Sequence, residues 1–382
     1  MKAAREALHG RAFVDGEVRE DVTVRLAGGR IAEVAVGTRA PAGAVAIDGV
    51  LVPGFVDLHV HGGAGADFMD GEPEAARRVC AFHARHGTVA LAATTLSASR
   101  GAIAKAVGAA AAVAAEPAAG EARVAAIHLE GPYINPGRAG AQDPSALRAA
   151  DLAEVDGWIA AAGELALVMT VAPEVEGVAE LIAARAGRIR FSLGHSEAGH
   201  GLAQAALAAG ARQVTHLFNA MPSLHHREPG LVGAALASPD AVVELIADGL
   251  HVHPLLLGAC ARLLGERVAL VTDAMLACGM PPGSYALGAL EVTVDDRGAR
   301  LPGGALAGSL LTMAGAVRTM VREAGLPLAR VLPLASAVPA RALGLAGHGR
   351  IAAGGAADLV ELDEGLGVAR VWIGGEEVEA AG

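Results

Sequence analysis

Aromatic residues, sulfur and positive charge are scarce in this 382-residue chain, and long apolar runs are missing. Phe, Trp and Tyr make up 3% of it, so a hydrophobic content of 53% rests largely on alanine. The three cysteines, Cys80, Cys260 and Cys278, form no CxxC pair and no disulfide framework, which points to a reducing, cytoplasmic setting. Lys and Arg number 30 against 41 Asp and Glu, a net charge of -11. That balance argues against a nucleic-acid or anionic-membrane surface, yet leaves room for a small anion held by a few local cations. The most alanine-rich run, 106–115, ends at Glu116-Pro117, short of the roughly 20 apolar residues of a membrane span. The N-terminus carries positive charge without the apolar core of a signal peptide. A soluble protein with no membrane or nucleic-acid partner is expected.

What is present has a clear order. Residues 1–52 hold short alternating segments such as Val22-Thr23-Val24-Arg25-Leu26, with a turn at Gly28-Gly29, and read as antiparallel strands. Residues 338–382 have the same texture, and neither end looks able to build a core alone. The two ends are expected to pair into one small β-sandwich domain. Between them, over 53–337, apolar strand-like runs alternate with alanine-rich helical stretches. Strands are expected over 55–61, 89–95, 124–130, 166–171, 189–195, 213–216, 242–247 and 268–273, with helices over 72–86, 102–115, 178–186 and 201–209 between them. About eight βα units over such a span make an α/β chain with a TIM-like (β/α)8 barrel. A doubly wound sheet is the rival, but Phe68 stands where a phosphate-binding G-x-G-x-x-G would require glycine.

The chemistry-bearing residues recur in one kind of place. In Val56-Asp57-Leu58-His59-Val60-His61, period-two alternation puts the two histidines on one face just before Gly62-Gly63. Glu130 follows an apolar run and precedes Gly131-Pro132; His195, His216 and Asp273 each end an apolar run. In a barrel these are C-terminal strand ends, where the active site is built. Imidazoles and carboxylates gathered there suit Zn²⁺ or a neighbouring divalent ion. A nucleophilic serine fits less well, because Gly194-His195-Ser196-Glu197-Ala198 has alanine in place of the second elbow glycine.

The runs His128-Leu129-Glu130-Gly131-Pro132-Tyr133, Leu193-Gly194-His195-Ser196, Thr215-His216-Leu217-Phe218-Asn219-Ala220-Met221, Arg227-Glu228-Pro229-Gly230, Ala247-Asp248-Gly249-Leu250-His251 and Val271-Thr272-Asp273-Ala274-Met275 together resemble the N-acetylglucosamine-6-phosphate deacetylases of the amidohydrolase superfamily. The resemblance implies that Glu130, His195 and His216 are the principal metal ligands and that Asp273 is the catalytic carboxylate, also touching a metal. It implies substrate contacts at Ala141, Asn219, Ala220, Arg227, His251, Leu306, Ala307 and Gly308, with Arg227 towards a phosphate and His251 towards the acetamido carbonyl. Gln142 stands where many relatives carry histidine, and its amide offers a hydrogen-bonding contact that does not titrate. His59 and His61 read as the source of a second metal position, bridged by Glu130 and closed by Asp273.

The expected cofactor is one or two divalent ions per chain, zinc first, with iron, manganese or cobalt as alternatives. The expected reaction is release of acetate from N-acetylglucosamine 6-phosphate, by a homodimer. Rivals are the galacto epimer of that substrate, a cyclic-amide hydrolase, which would want a mid-barrel lysine where Glu130 stands, and a non-catalytic scaffold, which would have lost ligands.

Overall fold

The computed structural model describes residues 6–288, 290–295 and 298–381. Its centre is an eight-stranded sheet in which Phe55–Val60, Thr88–Thr95, Arg123–Glu130, Ala166–Val171, Ile189–Leu193, Gln213–Val214, Val242–Ile246 and Val268–Val271 follow one another in parallel. Parallel strands covered on both faces read as unbroken apolar runs, and Val268-Ala269-Leu270-Val271 is buried throughout. The last strand meets the first through a bridge between Val60 and Ala274, and Asp273 N–H donates to His59 C=O at 2.8 Å. The sheet is therefore a closed barrel, and its seam brings Asp273 beside the first-strand histidines. Helices Pro73–Arg85, Arg100–Ala115, Val178–Arg185 and His200–Ala209 lie where the sequence predicts them.

Both chain ends join one seven-stranded sheet. Leu359–Leu362 from the C-terminal end pairs antiparallel with Val45–Pro53, and Glu6–Val14 flanks the latter on its other side. Leu8, Val24, Ile31, Leu51, Leu359 and Trp372 form its own buried cluster, so the two ends share a core that neither has alone. A three-stranded antiparallel sheet, Gly283–Leu287, Leu290–Asp295 and Gly298–Arg300, was not foreseen. Its Leu287, Val292 and Val294 pack with Leu96 and Met275 above the mouth of the barrel.

Two barrel strands stop one residue earlier than expected, at Val60 and Ile246, and three stop two residues earlier. Those three end at Leu193, Val214 and Val271, two residues before His195, His216 and Asp273 respectively. The reason is backbone geometry: His195, His216 and Asp273 have φ of 48°, 27° and 50°, a left-handed region in which no strand continues.

Candidate active site and metal centre

Backbone strain of this kind costs about 1–3 kcal/mol per residue and persists only where the surroundings over-determine it. Here it turns three side chains off their strand ends and inward. Gly194 permits the turn before His195, since a Cβ there would stand 2.8 Å from Thr215 Cβ and 3.0 Å from Thr170 Cγ2. Gly62 does the same after His61, where a Cβ would collide with Ala66 C=O.

The inward side chains converge on Glu130, the final residue of its strand. Glu130 Oε1 lies 3.2 Å from His195 Nε2, 3.1 Å from His216 Nε2 and 3.3 Å from His59 Nε2. Its Oε2 lies 3.3 Å from His61 Nε2. The imidazoles face each other in pairs, His195 and His216 Nε2 at 3.0 Å and His59 and His61 Nε2 at 3.1 Å. Asp273 Oδ1 closes the far side, 3.2 Å from His61 Nε2 and 3.5 Å from His59 Nε2. His59, His61, Glu130, His195, His216 and Asp273 are all buried.

Burial disfavours charge on every one of these groups, yet the opposite charges win. Burial would raise Glu130, but His59, His195 and His216 hold it well below the usual carboxylate range. Asp273 is likewise held at about 2 by His59 and His61 against its burial. Burial would lower His61, and the Asp273 and Glu130 carboxylates lift it to about 9 instead. His59 is raised well above its ordinary value by the same two carboxylates, again against burial. The cluster thus has a strong appetite for positive charge.

The donor chemistry fits a divalent ion. Two Nε2 atoms 3.0 Å apart cannot both point protons at each other, and a shared cation relieves the conflict. Neutral imidazole nitrogens with carboxylate oxygens suit zinc and its first-row neighbours. Two ligand histidines are oriented from behind: His195 Nδ1 donates to Arg138 C=O at 2.8 Å, and His59 Nδ1 to Glu244 Oε2 at 3.0 Å. That is the arrangement which frees Nε2 for a metal. Glu130, His195 and His216 form one group able to hold an ion, and His59, His61 and Glu130 another.

A cavity of about 290 Å³ opens beside this cluster, near the lower end of the range for small-molecule sites. Of the residues expected to touch substrate, Ala141, Gln142, Asn219, Ala220, His251, Leu306 and Gly308 line it. His251 Nδ1 is held by Asp248 Oδ2 at 2.7 Å. Ala307 is fully buried behind the wall. Arg227 does not line the cavity; it is exposed, and its guanidinium contacts His226 Nε2 at 2.7 Å. His128 is a satisfied core histidine, bonded through Nδ1 to Leu58 C=O at 3.0 Å and through Nε2 to Thr170 Oγ1 at 2.8 Å.

Sequence reading overlooked two supporting carboxylates. Glu244 sits fully buried in the middle of Val242–Ile246 and accepts from His59. Asp57, pushed up to about 7 by burial against the pull of Thr272 and the His59 N–H, accepts from Thr272 Oγ1 at 2.5 Å and ties the first strand to the segment carrying Asp273. A charge interrupting an apolar strand was the available signal for both.

A closed (β/α)8 barrel with an imidazole–carboxylate cluster at its C-terminal strand ends defines a metal-dependent hydrolase of the barrel class. A family model described as the amidohydrolase family matches residues 50–378, and the chain belongs to that family. Within it, an N-acetylgalactosamine-6-phosphate deacetylase of Escherichia coli O157:H7 is 41% identical over 86% of this chain and 87% of its own length. An N-acetylglucosamine-6-phosphate deacetylase of Bacillus subtilis is 39% identical over 82% of this chain and 80% of its own. The solved N-acetyl-D-glucosamine-6-phosphate deacetylase of Mycobacterium smegmatis, a mutant in complex with N-acetyl-D-glucosamine-6-phosphate, superposes with a TM-score of 0.92 at 35% identity, covering 98% of this chain and 99% of that one.

Proposed function

We propose that this chain hydrolyses the acetamido group of N-acetyl-D-glucosamine 6-phosphate, giving D-glucosamine 6-phosphate and acetate in amino-sugar recycling. The observation that carries the reading is the meeting of Glu130, His195 and His216 with Asp273 and His251 around one small cavity. Glu130, His195 and His216 would hold a divalent ion, and His59, His61, Glu130 and Asp273 would hold a second; zinc is the first choice. Bound there, such an ion lowers the pKa of water and polarises an amide carbonyl.

The chain's own groups do the rest. Asp273 accepts a proton from the attacking water and returns it to the departing amine nitrogen. Asp248 holds His251 through Nδ1 and so orients the ring, whose other face serves the acetamido oxygen as negative charge develops there. Asn219 and Ala220, on the cavity wall, orient the sugar. Arg227 supplies a planar fork for phosphate, and its exposed place outside its own cavity supports a homodimer in which it serves the second copy.

The galacto epimer is the second reading, favoured by the 41% identity to the Escherichia coli O157:H7 relative. One experiment separates the readings: kcat/KM for both epimeric 6-phosphates and for unphosphorylated N-acetylglucosamine, with metal content measured on the same sample. The gluco phosphate is expected to lead. A preference for the galacto phosphate installs the second reading, and no acetate release from any of the three by metal-loaded protein overturns both.

A further inference from the structure

Arg190, Gln213, Glu244 and His59 come from four different barrel strands and make one hydrogen-bonded line across the barrel interior. Arg190 Nε donates to Gln213 Oε1 at 2.7 Å, and Gln213 Nε2 donates to Glu244 Oε1 at 2.5 Å. Glu244 Oε2 accepts from His59 Nδ1 at 3.0 Å and from the His216 backbone N–H at 3.3 Å. Gln213, Glu244 and His59 are each fully buried. Arg190 is also tied to Arg212 C=O at 3.1 Å.

This line has a fixed direction. A guanidinium donates and never accepts, so Gln213 must turn its carbonyl to Arg190 and its NH2 to Glu244. A carboxylate only accepts, so the proton between Glu244 and His59 belongs to Nδ1. In the neutral form that can ligate a metal, His59 carries one N–H. His59 Nε2, 3.1 Å from His61 Nε2 and 3.3 Å from Glu130 Oε1, is therefore left with its lone pair facing the cluster.

We propose that Arg190, Gln213 and Glu244 are positioning residues that hold His59 in its ligating tautomer and thereby set occupancy of the first-strand metal position. The inference rests on the reading of His59 and His61 as ligands of a second ion. Glu244 touches neither substrate nor the reacting atoms; it acts through His59, and through His216 N–H it steadies a ligand of the other position as well.

Hydrogen-bond polarity makes the test sharp. In Glu244→Gln the new amide must still accept from Gln213, so it turns its NH2 on His59 and drives the imidazole proton to Nε2. In the swap Gln213→Glu/Glu244→Gln, residue 213 accepts from both Arg190 and the amide at 244, whose oxygen again faces His59 Nδ1–H. Shape and net charge match the wild type, and the direction of the line is restored.

The experiment titrates chelator-treated protein with zinc against a chromophoric competitor, with bound zinc counted by elemental analysis. Wild type is expected to take up about two ions per chain and His59→Ala about one. Glu244→Gln should weaken the site that His59→Ala removes about 10–100-fold, and the double swap should return it to within about threefold of wild type. A bland packing role predicts the reverse, since the swap alters two buried residues instead of one; a double swap at least as damaged as the single variant overturns the proposal. If Glu244→Gln does not fold, the double swap alone decides. Wild-type affinity in Glu244→Gln, with His59→Ala down to one ion, sinks the relay and spares the metal reading. One ion in wild type and an unchanged count in His59→Ala sinks both.

Discussion

Gln142 clamps Glu130: its Nε2 donates to Glu130 Oε2 at 2.5 Å, while its own Oε1 accepts from Ser97 N–H at 2.6 Å. The Ser97 bond fixes which way the amide points, so the NH2 must face the carboxylate. A hydrogen bond to a charged group contributes about 1.5–3 kcal/mol, and this one is buried. Gln142→Leu keeps the volume and removes both bonds. We expect it to fold and to weaken zinc at Glu130, His195 and His216 about tenfold, as losing support behind a ligand commonly does. A competition titration reads this directly, and an unchanged affinity would leave Gln142 as cavity wall alone.

Asp273 and His251 should separate by the kinetic parameter they move. Asp273 is placed by the seam, its N–H on His59 C=O at 2.8 Å and its C=O accepting from Ser309 N–H at 2.7 Å, so Asp273→Asn leaves those backbone bonds intact. Losing a general acid–base should lower kcat about 10²–10⁴-fold with little change in substrate binding. His251→Asn removes a donor to the developing oxyanion, worth about 10²–10³ in kcat. Steady-state and substrate-binding measurements on both variants check the pair. Near-normal kcat in Asp273→Asn would strip that residue of its role.

The barrel and most of its donors were legible because each interrupts an apolar run at a place where strands end. Glu130, His195, His216 and Asp273 stand out in this way, and the shared sheet of the two chain ends followed from neither having a core of its own. Glu244 interrupts Val242–Ile246 just as plainly, but its meaning depends on His59, 185 residues away; a carboxylate's partner across a barrel leaves no local trace. The left-handed turns at His195, His216 and Asp273 were invisible for a related reason. No glycine occupies those positions; His and Asp adopt a positive φ more often than most residues but only in a small minority of cases, and the strain is imposed by what surrounds them. His348 had no visible partner either, and it lies 3.0 Å from Asp358 Oδ2.

Asp358 should make the joint between barrel and end-domain acid-sensitive. Burial would raise it, but His348, the paired Arg123 guanidinium and the Gly374 N–H hold it at about 2. A carboxylate depressed in the folded state stabilises above its unfolded value of 3.8 and loses that contribution as pH falls towards 2. The linkage amounts to about 2 kcal/mol. Asp358→Asn is expected to lose roughly that much at neutral pH, and to show a flatter decline than wild type between about pH 4 and pH 2. Urea unfolding across that range checks it; parallel slopes in the two proteins would remove Asp358 from the account.

Loading the first-strand position with metal should release protons. In chelator-treated protein the Asp273 and Glu130 carboxylates hold His61 near 9 and His59 well above its ordinary value, each against the effect of burial. The pair therefore carries excess protons at neutral pH, whereas a metal ligand must present a lone pair. The sign follows: zinc entering between them at pH 7.5 displaces protons, about one to two per chain, and apparent affinity rises with pH until His61 gives up its proton unaided. Calorimetric titration in buffers of different ionisation enthalpy counts the protons. His59→Ala/His61→Ala should bind its remaining ion at Glu130, His195 and His216 with clearly fewer protons released. Equal release from the two proteins would mean that the first-strand histidines are spectators to metal binding.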